Sequence, residues 1–179
     1  IYHSVLSGVD SLGVVFFSTR VQSPELRFTP LFEDEYVLCV GPQSPYWDAE
    51  SITIAEAMQQ PYITYRDEFI KSNGGVIDVF KGMTPNIVLR TDDIESIKKL
   101  ISHDNYVAFF HRHMNSDDIY RTSGAIRAIP ISDYDTSMQI GYIESTKYKL
   151  SNADRAFLEI LKAAVRLSLQ DESFAASDQ

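Results

Sequence analysis

Cysteine is almost absent from this chain of 179 residues: Cys39 is the only one. A single thiol excludes an internal disulfide and a thiolate cluster for a structural metal, and it fits a reducing cytoplasm. Long apolar runs are missing as well. None reaches the roughly 18 residues that a membrane span needs, and no basic stretch followed by an apolar one marks the N-terminus as a secretory signal. Positive charge is scarce: 16 Lys and Arg stand against 25 Asp and Glu, a formal net charge of -9. That balance argues against the chain itself being a nucleic-acid-binding surface, which needs clustered Lys and Arg. Any contact with DNA would have to come from another segment. The reading is a cytoplasmic chain without a membrane partner.

Several chemical signatures are also lacking. There is no G-x-S-x-G, no P-loop and no G-x-G-x-x-G. Acidic residues occur in DEYVLC and DYD, but no pair is set off by an apolar pocket as acid/base catalysis would require. His111 and His113, with Asp117 or Asp118, have the residue types for a divalent metal. Two imidazoles without defined further ligands are weak grounds for one, and the pair is read as part of a surface loop. Cys39, among Val37, Leu38 and Val40, is read as a packed small apolar residue. No cofactor is expected.

What the chain does have is enough apolar residue, 44%, to bury a real core, and an alternation of strand and helix patterns. Thr91 to His111, TDDIESIKKLISHDNYVAFFH, carries the strongest signal. Ile94, Ile97, Leu100 and Ile101 recur at helical spacing, and Asp92 with Glu95 has the form of a capping box. Tyr106 to Phe110 then runs without alternation, as expected of a strand covered on both faces of a parallel sheet. A polar loop feeding a helix N-terminus above such a sheet suits an anion or carboxylate.

In chain order, residues 1–8 form a helix closed by Gly8, and Leu12–Phe17 a strand. Its end opens into Ser18, Thr19 and Arg20, where hydroxyls face the crevice used by α/β proteins. The chain opens in mid-helix and reads as a fragment. Leu26 to Val40 reads as two extended pieces, LRFTPLF and EYVLCV, with Pro30 at an edge or bulge. GPQSP at 41–45 is the clearest linker signal, and the domain crossing is placed there. Thr53 and Glu56 cap a short helix that Pro61 stops, and Tyr62–Tyr65 follows as a strand. Ser72 or Asn73 caps a helix over residues 76–80, and Asn86–Arg90 is a strand. A short helix or turn at 115–122 and extended pieces at 126–131 and 138–143 precede a final helix. That helix is capped by Ser151, with Phe157, Leu158, Leu161, Val165 and Leu169 as its buried stripe.

The order of these pieces resembles the effector-binding domain of LysR-type transcriptional regulators. LSGVDSLGVVFF, PLFEDEYVLCVGPQSPYW, ITIAEAMQQPYITY, TPNIVLRTDDIESIKKLISHDNYVAFF and LSNADRAFLEILKAAV match in sequence and cover most of the chain. The resemblance implies an α/β, two-lobed, type II periplasmic-binding-protein-like fold with two crossover strands. One lobe would be residues 1–41 and 141–179, incomplete at its N-terminus, and the other residues 42–140. It further implies a small anionic effector held between the lobes and not chemically altered, a homodimer or homotetramer, and DNA binding through an N-terminal domain outside this chain. Carried over by position, the effector-binding residues are Ser18, Thr19, Ser72, Asn73, Thr91 and Asp92, with Asp92 doubling as the helix cap. His111 stands where the family pattern has a proline, and no family role is carried to it. A transporter's solute-binding protein and an enzyme on the same fold are the rival readings.

Overall fold

The computed structural model describes residues 1–16, 23–65, 85–113 and 118–177, with side chains as far as 169. The elements are α1 (Tyr2–Ser7), β1 (Leu12–Phe16), β2 (Leu26–Val40), α2 (Ile54–Gln59), β3 (Tyr62–Tyr65), β4 (Ile87–Thr91), α3 (Ile94–His103), β5 (Val107–His111), α4 (Ile119–Thr122), β6 (Arg127–Ile129), β7 (Ser137–Ser145) and α5 (Asn152–Ser177). Among the described residues, no helix is long and apolar enough to cross a membrane.

The chain divides into two compact units, Ile1–Glu33 with Met138–Gln179, and Asp34–Ser137. It passes between them within β2 and again at the start of β7. The sequence-based divisions lay at 41/42 and 140/141; by backbone contacts they fall at 33/34 and 137/138, and the GPQSP turn lies inside the second unit.

In the first unit the strands run in the order β1-β7-β2. β1 and β7 are antiparallel, with Gly13 opposite Ile143 and Val15 opposite Gly141. Directly opposite residues share a face, so Val15 and Ile143 meet the underside of α1. There Val5, Val15 and Ile143 are buried, with Tyr2, Leu26 and Phe28 packed around them. Gly8 closes α1 at φ 75°, a left-handed conformation that costs an L side chain but not glycine. The terminal helix α5 opens on a reciprocal cap: Ser151 N–H donates to Asp154 Oδ2 at 2.7 Å, and Asp154 N–H to Ser151 Oγ at 3.2 Å.

The second unit carries the order β6-β2-β5-β3-β4. β5 is parallel to β3 and antiparallel to β2, so the sheet is mixed where a parallel one was expected. All of Val107–His111 is buried, and this accounts for the missing alternation. The core gathers Val37–Val40, Ile63, Ile97, Ile101, Val107 and Ile129. Thr53 and Glu56 form the expected capping box at α2, and Gln60 ends that helix. A Cβ at Gly41 would collide with the carbonyl oxygen of Ile101, so glycine lets α3 settle against the end of β2.

Two local expectations are corrected. β2 is one continuous strand of 15 residues rather than two pieces; Pro30 keeps an extended-compatible φ and forfeits only one donor. In α5 only Leu158 of the expected stripe is buried, with Leu161, Val165 and Leu169 half-buried and Phe157 exposed. Phe157 is one residue, about 100°, from Leu158 around the helix, and so leaves that face.

Candidate functional site

Three strands of the second unit, β5, β3 and β4, run parallel and end together. Tyr65 pairs with Thr91, and Tyr62 with Val107, which sets His111 at the matching end of β5. Antiparallel β2 brings Tyr36 opposite His111. The C-terminal ends of parallel strands are where α/β sheets present loops and helix starts to a ligand. At this rim the unit collects polar side chains that sequence patterns alone did not group.

Tyr36 and His111 stack with ring centroids 4.2 Å apart and planes 33° from parallel. Thr136 fixes Tyr36 from the backbone, donating Oγ1–H to its carbonyl at 2.8 Å and accepting its N–H at 3.2 Å. Burial holds the His111 imidazole down at about 4, against a smaller upward pull from Asp34, so it is neutral at neutral pH. Burial also pushes the Tyr36 phenol well above its ordinary value, with Tyr62 and Asp34 adding to the effect. The Tyr62 phenol is pushed up to about 12 by burial, partly offset by Thr64 and Arg90. Its hydroxyl donates to Thr64 Oγ1 at 3.3 Å, and its ring meets Phe109 edge-on at 5.8 Å.

Beside these neutral groups lie two charged contacts. Asp34, wholly buried in its side chain, faces His113 through Oδ1 at 2.9 Å from Nδ1. Arg112 Nε donates to Glu35 Oε1 at 2.6 Å, and its own N–H donates to the Glu35 carbonyl at 3.0 Å. The rim therefore offers hydrogen-bonding and stacking groups, with its charged side chains paired among themselves. Among the described residues, no group of three His, Cys, Asp or Glu is placed to hold a metal. His111 is a buried strand end rather than part of a surface loop, because the apolar run of β5 continues into it. Asp118 is committed elsewhere: it caps α4 through Tyr120 N–H and pairs with Lys98 of α3. Burial pushes the Cys39 thiol up to about 12, as suits a packed apolar residue.

Of the six residues expected to bind an effector, Ser18, Thr19, Ser72 and Asn73 lie outside the described residues, as does Asp117. Thr91 ends β4 at the rim, and its Oγ1 accepts the N–H of Asp93 at 3.1 Å. Asp92 is exposed and does not cap α3. The cap is Asp93, whose carboxylate accepts the N–H groups of Glu95 and Ser96 and the Ser96 hydroxyl. Those bonds draw the Asp93 carboxyl below the usual carboxylate range, the Ser96 hydroxyl foremost. The first free N–H groups of α3, offered by sequence as a seat for an anion, are therefore taken by the helix's own aspartate.

Sequence reasoning missed Asp34, Tyr36 and Arg112. A signal was there: Asp34 and Glu35 stand flush against the apolar run Val37–Val40, and HRH follows the apolar run of β5. Charged and aromatic residues abutting buried strands at both ends of one strand pair mark a rim.

No curated protein sequence matches the chain. Among solved structures, the effector-binding domain of QuiR in complex with shikimate aligns over 94% of this chain and 76% of its own, with TM-score 0.71 and 17% identity. The regulatory domain of CcmR from Synechocystis PCC6803, in complex with 2-PG, covers 91% and 77%, with TM-score 0.70 and 16% identity. HinK, a LysR family transcriptional regulator from Pseudomonas aeruginosa, covers 91% of this chain with TM-score 0.69 and 13% identity, and the chain spans 56% of that protein. At these identities the likeness concerns the fold, which is the two-lobed, type II periplasmic-binding-protein-like α/β fold. A model of the LysR substrate binding domain matches residues 3–166, so the chain belongs to the LysR substrate-binding domain family.

Proposed function

We propose that this chain is the ligand-sensing part of a cytoplasmic LysR-type transcriptional regulator. It takes up a small anionic metabolite between its two lobes, leaves it chemically unchanged, and passes the altered lobe arrangement to DNA-binding domains outside this chain through a dimer or tetramer. The observation that carries the reading is the rim of the second unit, where Thr91 and His111 end the parallel strands β4 and β5 on one side of the sheet and antiparallel β2 sets Tyr36 against His111. Two structural relatives were solved in complex with small ligands, shikimate and 2-PG, and this supports a small-molecule effector.

Ser18, Thr19, Ser72, Asn73 and Thr91 are the proposed contacts to the effector's anionic group, and Asp92, whose carboxylate would repel that group, is proposed to accept from a hydroxyl or N–H elsewhere on the effector. Because Asp93 already fills the α3 N-terminus, the ligand's charge is met by hydroxyls, the Asn73 amide and backbone donors from other segments. Transmission needs only differential affinity for two lobe arrangements, about 1–3 kcal/mol in ordinary allosteric coupling.

A thermal-shift screen of small carboxylates, amino acids and phosphorylated sugars tests the reading. At least one should raise the melting temperature in proportion to the logarithm of its excess and be recovered intact. Turnover of a bound compound, or no response to any member of the panel, overturns it.

A further inference from the structure

Both passages of the chain out of the second unit are fastened to one strand end. The unit begins at Asp34 and closes at Ser137. Tyr36 lies opposite His111, and the same register sets Glu35 against Arg112 and Asp34 against His113. Each step has its own contact: the Tyr36–His111 stack, the Glu35–Arg112 ion pair with the Arg112 N–H on the Glu35 carbonyl, and the Asp34 carboxylate on two nitrogens of His113. Tyr36 is in turn bonded twice to Thr136, the residue before Ser137. Asp34 and Thr136 are buried, where a polar group is costly unless bonded, so these bonds specify one arrangement. A second pin lies in the first unit. There a Cβ at Gly141 would collide with the Thr29 carbonyl oxygen, so glycine lets β7 close on β2. Between the two pins lie residues 30–33 of β2 and 137–140 of β7.

We propose that the pairing of Asp34, Glu35 and Tyr36 with His111, Arg112 and His113 is the coupling element of the chain. It binds both passages to the strand end that forms the rim, so a displacement of that end bends the chain at 30–33 and 137–140. Asp34, Glu35, Arg112 and His113 act as positioning residues, through the strands they hold. A strand end kept by backbone bonds alone frays, whereas side-chain contacts at three successive positions make the pair move as one body. The middle contact is the accessible one: Glu35 and Arg112 are each 37% exposed, against 0% for the Asp34 carboxylate. Such an exposed pair adds little to stability, but reversing one of its charges sets like charges in contact and pries the strands apart. What the coupling serves rests on the ligand-sensing reading; that the pairing controls the two passages does not.

Pulsed electron spin resonance on the whole chain without any ligand tests this, and so keeps its failure apart from a failure of the functional reading. Spin labels go on Ala55→Cys in α2 and Ala153→Cys in α5, both exposed, while Cys39 is buried and stays unlabelled. With the pairing intact, the labels should give one narrow distribution of distances. Glu35→Arg and Arg112→Glu should each broaden it about twofold or more, and the two together should restore it, with melting midpoints little changed because that pair is partly exposed. Asp34→Ala should broaden it as well, and Asp34→Asn, which keeps an acceptor oxygen, should not. A merely structural role would lower the melting midpoint of Asp34→Ala and leave the distribution as narrow as before. That outcome overturns the proposal, as do a broad distribution with the pairing intact, single reversals without effect, or a double reversal that fails to restore the width.

Discussion

His113 is joined to Asp34 twice: its Nδ1 lies 2.9 Å from Oδ1, and its backbone N–H donates to the same oxygen at 3.3 Å. Glu35 N–H adds a third donor to that oxygen at 2.7 Å. The contact ties the start of the second unit to the residues that leave β5. Asp34→Ala should therefore lower stability by about 2 kcal/mol, since three donors lose their acceptor in a buried place. Asp34→Asn, which keeps an acceptor oxygen, should cost less. Urea unfolding of the three proteins measures the difference, and equal midpoints would dismiss the contact as incidental.

His111 predicts how stability responds to acid. Its folded value, about 4, lies below its ordinary 6.5 because burial disfavours the imidazolium. Between those values the unfolded chain binds a proton that the folded chain does not. Stability is therefore intact above 6.5 and falls as pH drops toward 4, by on the order of 3 kcal/mol across the window. Unfolding midpoints at pH 7 and pH 4.5 should differ accordingly, and His111→Gln should flatten that slope.

Lys98 and Asp118 are both 11% exposed in their side chains and pair across α3 and the start of α4. Glu95 holds the same ammonium at 2.9 Å. Asp118→Ala removes a buried partner and the α4 cap together, and should cost about 3 kcal/mol. Adding Lys98→Met should recover part of the loss, because no buried ammonium is then left half-paired. A double-mutant cycle on unfolding free energy reads this directly, and strictly additive losses would refute the coupling.

Thr91 shapes a turn, and the proposed function gives its hydroxyl a ligand contact as well. Its Oγ1 accepts the Asp93 N–H and shapes the turn into α3; in the proposed site its hydroxyl proton would be donated to the effector. Thr91→Ser keeps both and should bind an effector from the thermal-shift panel as the unaltered chain does. Thr91→Val loses both, and should weaken binding about tenfold, one hydrogen bond's worth. Equal affinity for Thr91→Val would remove this residue from the site.

Much of the local structure was legible because caps and periodicity are settled within a turn or two of chain. The Thr53–Glu56 box, the Gly8 stop, and the helix and strand of Thr91 to His111 all stand as read. The cap at α3 shows the limit of that reading. Asp92 and Asp93 are adjacent carboxylates, and spacing to Glu95 favoured the first; the backbone turn held by Thr91 delivers the second to the free N–H groups. The crossing between units was illegible for another reason. It is made by an unbroken strand, β2, and the acidic run Glu33-Asp34-Glu35 where it falls carries none of the Pro and Gly that mark a linker.

By itself the sequence determined the elements, their order and the family likeness, since those rest on short-range pattern. Tertiary structure alone decided which groups became chemically special. Asp34 and His113 are 79 residues apart, His111 owes its neutrality to what covers it, and Phe157 and Leu158 of α5 are alike in sequence but not in burial. Each depends on desolvation by distant segments, and the residues' own chain neighbours carry no record of it.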